Sequence, residues 1–211
     1  MPDRIEVATT GRARCRACRR GIAKGEERFA EAAPNPVAEG ETQHYYHVAC
    51  AAERRPQAFA ALVSSLDPAR AELASWLAAA QLATAHHRLE RLGVLERAKS
   101  ARANCRSCRE LIEKDAWRVA LQPIEDGRLG AWGFVHLRCV AAYAGVKPDA
   151  ERLLRYSELP PEEAGEILEM LAALPAPDPN LAAPEGDAAP GAEAERTAEL
   201  DGPPAAEARD G

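Results

Sequence analysis

The chain has 211 residues and a net charge of −6; 46% of it is hydrophobic, nearly half of that alanine, and only 5% is aromatic. Alanine burial removes little apolar area from water, which excludes one large core in favour of small lobes needing a covalent or metal staple. No apolar run approaches the roughly 18 residues of a membrane span. The opening MPDRIEVATTGR also lacks the apolar stretch of a secretory signal. The expected home is therefore intracellular, where cysteine pairs more often hold metal than form disulfides.

Charge is unevenly placed: residues 1–145 carry 22 basic and 17 acidic side chains, a balance of +5, against −4 for 146–174 and −7 for 175–211. In chain order, Cys15-x-x-Cys18 is followed by a short extended run at Arg28–Glu31, a loop, a strand at Gln43–His47, and a short helix opened by His47-x-x-Cys50. Asp67-Pro68 signals a helix start. Apolar spacing carries that helix over Ala69–Leu82 and on through Ala85–Leu92 to a stop at Gly93. His86 and His87 fall on this helix without nearby cysteines or carboxylate pairs and read as exposed surface. His44 lies an odd number of residues from His47, on the opposite strand face.

The plan then repeats. Cys105-x-x-Cys108 precedes a strand at Trp117–Leu121, a second at Gly133–Leu137, His136-x-x-Cys139, and a helix over Glu162–Leu174 started by Pro160-Pro161. The gap between inner ligands is 28 residues in the first copy and 27 in the second, and no cysteine is left over. Ile5–Cys15 aligns with Leu95–Cys105, and Gly21-Ile22-Ala23-Lys24 with Leu111-Ile112-Glu113-Lys114. Downstream, Leu73, Trp76 and Leu77 align with Ile167, Met170 and Leu171. This is a tandem duplication of about ninety residues. The expected organisation is α+β: one module over 5–94 and another over 95–174, each a short antiparallel sheet with helices. An acidic tail follows over 175–211, with seven prolines and four glycines, too polar to offset chain entropy and expected to be disordered.

Three thiolates and one imidazole form a closed tetrahedral set for structural zinc. The predicted ligands are Cys15, Cys18, His47 and Cys50 for one ion, and Cys105, Cys108, His136 and Cys139 for a second. Redox motifs would not bring a matching HxxC twice, and disulfides would leave both histidines unexplained. Each site would be formally −1, and the arginines around it (Arg12, Arg14, Arg16, Arg19, Arg20; Arg102, Arg106, Arg109) offset that charge and favour thiolate.

Gly11-Arg12-Ala13-x-Cys15-x-x-Cys18, the gap length and Tyr45-Tyr46 before His47-x-x-Cys50 resemble the poly(ADP-ribose) polymerase-type zinc finger. Arg102-Ala103-x-Cys105-x-x-Cys108 with Phe134-Val135-His136-x-x-Cys139 is similar, so the resemblance spans residues 5–174 in two copies. It implies DNA as partner, recognised at strand breaks by basic groups on phosphates and an apolar loop stacked on bared bases. Arg12 and Arg102 match the phosphate-contacting arginine; Arg14, Arg16 and Arg106 lie in the same turns. For the stacking loop, the first copy reads Val37-Ala38-Glu39-Gly40-Glu41-Thr42, without an aromatic residue and with two acids. The second reads Ile124-Glu125-Asp126-Gly127-Arg128-Leu129, which offers Ile124, Arg128 and Leu129.

No nucleophile–base constellation, transferase domain or ligase lysine motif stands out, so no catalysis and no small-molecule substrate are expected. The rival reading is a zinc-stapled protein-interaction adaptor, supported by the acidic first loop and the modest basic excess. It is to be separated by whether Arg12, Arg14, Arg102 and Arg106 form open basic faces or are spent on Glu26, Glu27 and their neighbours. The tail reads as a solvated segment, or as an internal competitor for the basic modules. Richness in alanine, arginine and glutamate points to a GC-rich genome, placing the protein with the nucleoid if bacterial and in the nucleus if eukaryotic.

Overall fold

The computed structural model describes residues 2–35, 39–66, 70–125 and 127–177. Val37 and Ala38, the Asp67-Pro68 signal, Ala69, Asp126 and all but the first three residues of the acidic tail lie outside the described residues. The architecture is mixed α+β. In the N-terminal half, β1 (Arg4–Val7), β2 (Glu27–Pro34) and β3 (Glu41–His47) form an antiparallel sheet with β2 central. In the C-terminal half, β4 (Leu92–Arg97), β5 (Trp117–Leu121) and β8 (Phe134–His136) repeat that order. A separate hairpin pairs β6 (Ile124–Glu125) with β7 (Arg128–Leu129).

The strands expected after each CxxC and before each HxxC are present, and each sheet has a third strand at its edge, β1 or β4. β1 pairs Glu6 with Arg28, and β4 pairs Glu96 with Arg118. These pairings bury a charge on the central strand in the same way twice. Arg28 is held by Glu6 at 2.6 Å and lies 3.7 Å from the Tyr45 ring centre; Arg118 is held by Glu96 at 2.5 Å and lies 3.5 Å from that of Phe134. A buried guanidinium needs such a partner, and the aromatic face adds a cation–π contact of about 1 kcal/mol or more when desolvated. Burial alone would raise the Glu6 carboxyl, but hydrogen bonds from Arg28 and Arg4 hold it below its usual range.

The helices follow local chemistry. α1 (Val48–Arg54) is alanine-rich and begins where His47 leaves the strand; Arg55 ends it because Pro56 follows and occupies the first turn of α2 (Pro56–Ser65). α3 (Ala74–Ala85) buries Ala80 and Ala83. A 3-10 turn at Leu137–Cys139 leads into α4 (Val140–Ala144), followed by α5 (Ala150–Arg155) and α6 (Pro161–Ala173). Pro161 with Glu162 and Glu163 opens α6, Ile167 and Leu171 anchor it, and Lys147 donates to the carbonyls of Ala172 and Leu174 at its end.

One expectation is overturned. The first helix does not continue through Ala85–Leu92 to a stop at Gly93. It ends at Ala85, so His86 and His87 sit in the following turn, His87 exposed and His86 half-buried. A 3-10 turn at Leu89–Arg91 then feeds β4, and Gly93 is a strand residue at a register irregularity. The physical reason is tertiary: a Cβ at Gly93 would collide with the Gln122 side chain, while Leu92 and Leu95 are fully buried against β5. The 94/95 division between repeat units therefore falls inside a strand.

Phe29, Tyr46 and Phe59 centre the N-terminal core, with Phe59 edge-on to Phe29 at 5.9 Å. Leu95, Val119, Val135, Leu153 and Ile167 centre the other. The two cores exchange residues: Tyr156 belongs to the first, and Ala83 and Leu89 to the second. Between them lies a buried polar junction. Arg54, 2% exposed, donates to the carbonyls of Leu92 and Gln122. Arg152 donates to the carbonyls of Glu53 and Leu89. The Glu53 carboxylate accepts from Tyr156 Oη at 2.7 Å and from Arg155 at 3.3 Å. Among the described residues no helix is long and apolar enough to cross a membrane.

Removing one partner of a buried ionic network leaves uncompensated charge and costs about 3–5 kcal/mol. Glu53→Ala is expected to lower the urea unfolding free energy by roughly 3 kcal/mol. A loss below about 1 kcal/mol, the scale of an exposed pair, would mean that Glu53 does not join the halves.

Candidate metal centres

Each CxxC folds into the same tight turn. Cys15 N–H donates to the Arg20 carbonyl and Arg19 N–H to the Cys15 carbonyl, both at 2.9 Å; Cys105 to Glu110 and Arg109 to Cys105 repeat this at 2.8 and 2.9 Å. The turn closes only with a left-handed residue after the second cysteine, Arg19 at φ 62° and Arg109 at φ 67°. Bridges between Arg14 and Gly21 and between Asn104 and Leu111 hold its base. Arg16 N–H bonds the Tyr45 carbonyl and Arg106 N–H that of Phe134, seating each turn on the strand that carries the histidine ligand.

The eight predicted ligands therefore meet in two groups: Cys15, Cys18, His47 and Cys50, and Cys105, Cys108, His136 and Cys139. Within each group all ligand atoms lie within 4.8 Å of one another. His47 Nδ1 is 3.3 Å from Cys18 Sγ and 3.9 Å from Cys50 Sγ; His136 Nδ1 is 3.4 and 3.9 Å from Cys108 and Cys139. The other ring nitrogen, Nε2, lies 3.2 Å from a backbone carbonyl in both, Gly21 or Leu111. Donation there fixes the tautomer that leaves Nδ1 free to ligate. Ser107 and His136 N–H groups each point at Cys105 Sγ at 3.4 Å. Each group could hold a metal ion.

In each group one sulfur is favoured as thiolate at its neighbours' expense: bonding with Cys15 and Cys18 pushes Cys50 up, bonding with Cys105 pushes Cys139 up, and burial pushes Cys108 up. Hydrogen bonding with Cys15 and Cys50 holds Cys18 far below the usual thiol range, and bonding with Cys139 brings Cys105 down to about 4. Hydrogen bonding with Cys15 and Cys18, and then their charge, in turn pushes His47 up to about 10 against the effect of burial, a proton that a bound metal would displace. The surroundings differ between copies. Arg20 bonds Cys18 in the first, which raises the guanidinium further. In the second, the aligned residue is Glu110, 3.5 Å from Cys108 Sγ and paired with Arg138 at 2.8 Å.

A cleft of about 850 Å³ opens beside the first centre, between its CxxC turn and the β6–β7 hairpin of the other half. Arg12, Arg14, Arg16 and Arg19 line one side, Gly127, Arg128 and Leu129 the other, with Gln43 and Tyr45 of β3 between them. All five arginines are exposed, and among the described residues none pairs with a carboxylate. Glu26 is used by the Ala23 N–H and approaches His47, and Glu27 is paired with Arg70.

Of the residues singled out for DNA contact, the cleft thus gathers Arg12, Arg14, Arg16, Arg128 and Leu129. Arg102 is exposed outside it. Arg106 lies along the backbone of Trp132 and Gly133, donating to the Trp132 carbonyl at 3.0 Å. Ile124 packs against the N-terminal core, and Arg55 reaches its carbonyl. Sequence reading gave Gln43 no role and did not join the two copies across one cleft; no signal in the chain brackets positions 16 and 128 as neighbours. His44, on the strand face opposite His47, is 6% exposed because the hairpin tip sits on it: a Cβ at Gly127 would collide with its ring. Comparison with protein-family models and with curated proteins finds no match.

Two outcomes are expected. Purified protein should carry two metal ions per chain by elemental analysis, and Cys18→Ser or Cys108→Ser should each remove one; retention of both ions would exclude that cysteine as a ligand. For His44, burial and then Arg16 hold the imidazole below its ordinary 6.5, with Arg55 acting in the same direction and Glu31 opposing them. The unfolded chain then binds a proton that the folded one refuses, so stability falls as pH drops through 6.5. His44→Gln should flatten the unfolding free energy between pH 7 and the folded-state pKa. An unchanged curve would mean that the hairpin does not confine the ring.

Proposed function

We propose that this protein is a non-enzymatic DNA-binding protein, two zinc-stapled modules in tandem that engage nicks, gaps or ends without reading sequence. The observation that carries the reading is the cleft: five exposed arginines, unpaired with carboxylates among the described residues, converge on a turn held by a ligand cluster. Cationic groups so arranged are what sequence-independent phosphate contact requires, and their positioning sets register on the backbone.

Zinc is the metal proposed for both clusters. Tetrahedral zinc with S and N ligands at about 2.3 and 2.0–2.1 Å places them roughly 3.6 Å apart, and the observed separations of 3.3–3.9 Å bracket that value. With four protein ligands its role is structural: it ties the CxxC turn to the strand-to-helix corner across about thirty residues. The twofold recurrence of the turn, the sheet order and the Glu–Arg–aromatic stack supports the reading of two modules in tandem; the resemblance to poly(ADP-ribose) polymerase-type fingers rests on the sequence motifs around the ligands.

The test is fluorescence anisotropy of zinc-loaded protein on a nicked duplex, competed by nicked and then closed circular DNA at two salt concentrations. The nicked competitor should win, the salt slope should correspond to several phosphate contacts, and chelation of zinc should abolish binding. Equal competition by closed circles would remove break recognition. Absence of binding at low salt would remove DNA as the partner and return the question to a protein-binding adaptor.

A further inference from the structure

Nothing in the duplication requires the two copies to share a surface, yet the cleft is built from both. Its arginine wall belongs to the first CxxC turn, and the opposing Arg128 and Leu129 belong to a hairpin more than a hundred residues further along the chain. The hairpin is not loosely placed. Its tip presses on buried His44, Ile124 packs into the N-terminal core, and Arg55, itself paired with Glu31, reaches the Ile124 carbonyl.

The lining chemistry is specific. A volume near 850 Å³ is in the range of sites that enclose a small ligand and far too small to enclose a duplex. Charges flank an aromatic and an aliphatic side chain, Tyr45 and Leu129. Arg28 covers one face of Tyr45 and is not part of the cleft; the ring also packs against the N-terminal core and still contributes to the cleft lining. A positively charged groove with a stacking surface is the arrangement that holds single strands, because every base has a π-face and every nucleotide a phosphate. In the second copy the aligned surface is occupied differently: Arg106 lies along Trp132 and Gly133.

We propose that this inter-module cleft is a groove for a single DNA strand, with the turn arginines and Arg128 on its phosphates and Tyr45 and Leu129 against a base. The proposal rests on the DNA-binding reading and adds to it the form of DNA bound: the strand freed at a gap or tail enters the cleft, and both modules hold it.

The experiment uses full-length, zinc-loaded protein and a labelled oligothymidylate, with a blunt hairpin duplex of equal charge as competitor. Oligothymidylate should be preferred. Arg128→Glu and Arg14→Glu should each weaken it roughly tenfold, the loss expected of a charge-assisted contact. Lys114→Glu, an exposed charge reversal outside the cleft, should leave it unchanged. Leu129→Ala should weaken binding without altering the salt slope, a separation that a merely structural role would not give. Circular dichroism and zinc content confirm that each variant is folded. Preference for the blunt hairpin, or an unaffected Arg128→Glu variant, overturns the groove; if that protein still prefers nicked to closed circles, break recognition survives it. Absence of binding to any DNA removes both.

Discussion

Four ligand atoms from two distant stretches of chain, a CxxC turn and a strand-to-helix corner, converge twice in this molecule, and everything else is arranged around those two points. The turn cannot be held by packing alone. Its residues are mainly arginine, alanine and glycine, and a loop of about thirty residues separates it from the corner it meets. Thiolates and an imidazole brought within 4.8 Å of one another repel or share protons unless a cation joins them. Once joined, they fix the left-handed residue after each second cysteine and thereby aim the arginines on either side.

The two copies show which features such a centre demands and which it leaves open. The turn hydrogen bonds, the Nε2–carbonyl contact and the buried Glu–Arg–aromatic stack are the same in both. The charge beside the second cysteine is not: Arg20 stands in one copy and Glu110 in the other. Nor are the surfaces over β3 and β8 alike, since the first faces a hairpin from the other half and the second is lined by its own Arg106.

What turns two small lobes into one body is a buried polar junction, set beside the apolar residues that the two cores exchange. Arg54, Arg152, Glu53 and Tyr156 are all buried there, their charges met by carbonyls and by one another. Alanine-rich helices bury little area each, so fixed hydrogen bonds supply the orientation that a larger core would otherwise impose. The cleft is a consequence of that orientation, because its two walls come from different copies.

The ligands, the repeat and the strands flanking each ligand pair were legible in the sequence, because spacing of a few residues decides whether side chains reach one ion or alternate across a sheet. The helix over α6 was equally legible from its prolines and apolar stripe. The limits appear where the deciding contact is remote. Ala85–Leu92 has a composition that suits a helix, but burial of Leu92 and Leu95 on β5, and the space Gln122 takes at Gly93, make its end a strand. Ile124 reads as an exposed apolar loop residue until the N-terminal core covers it. Two four-residue groups able to hold a metal ion follow from motif spacing alone, since each rests on local geometry. That Arg16 and Arg128 share one cleft depends on which surfaces pack, and no local spacing records it.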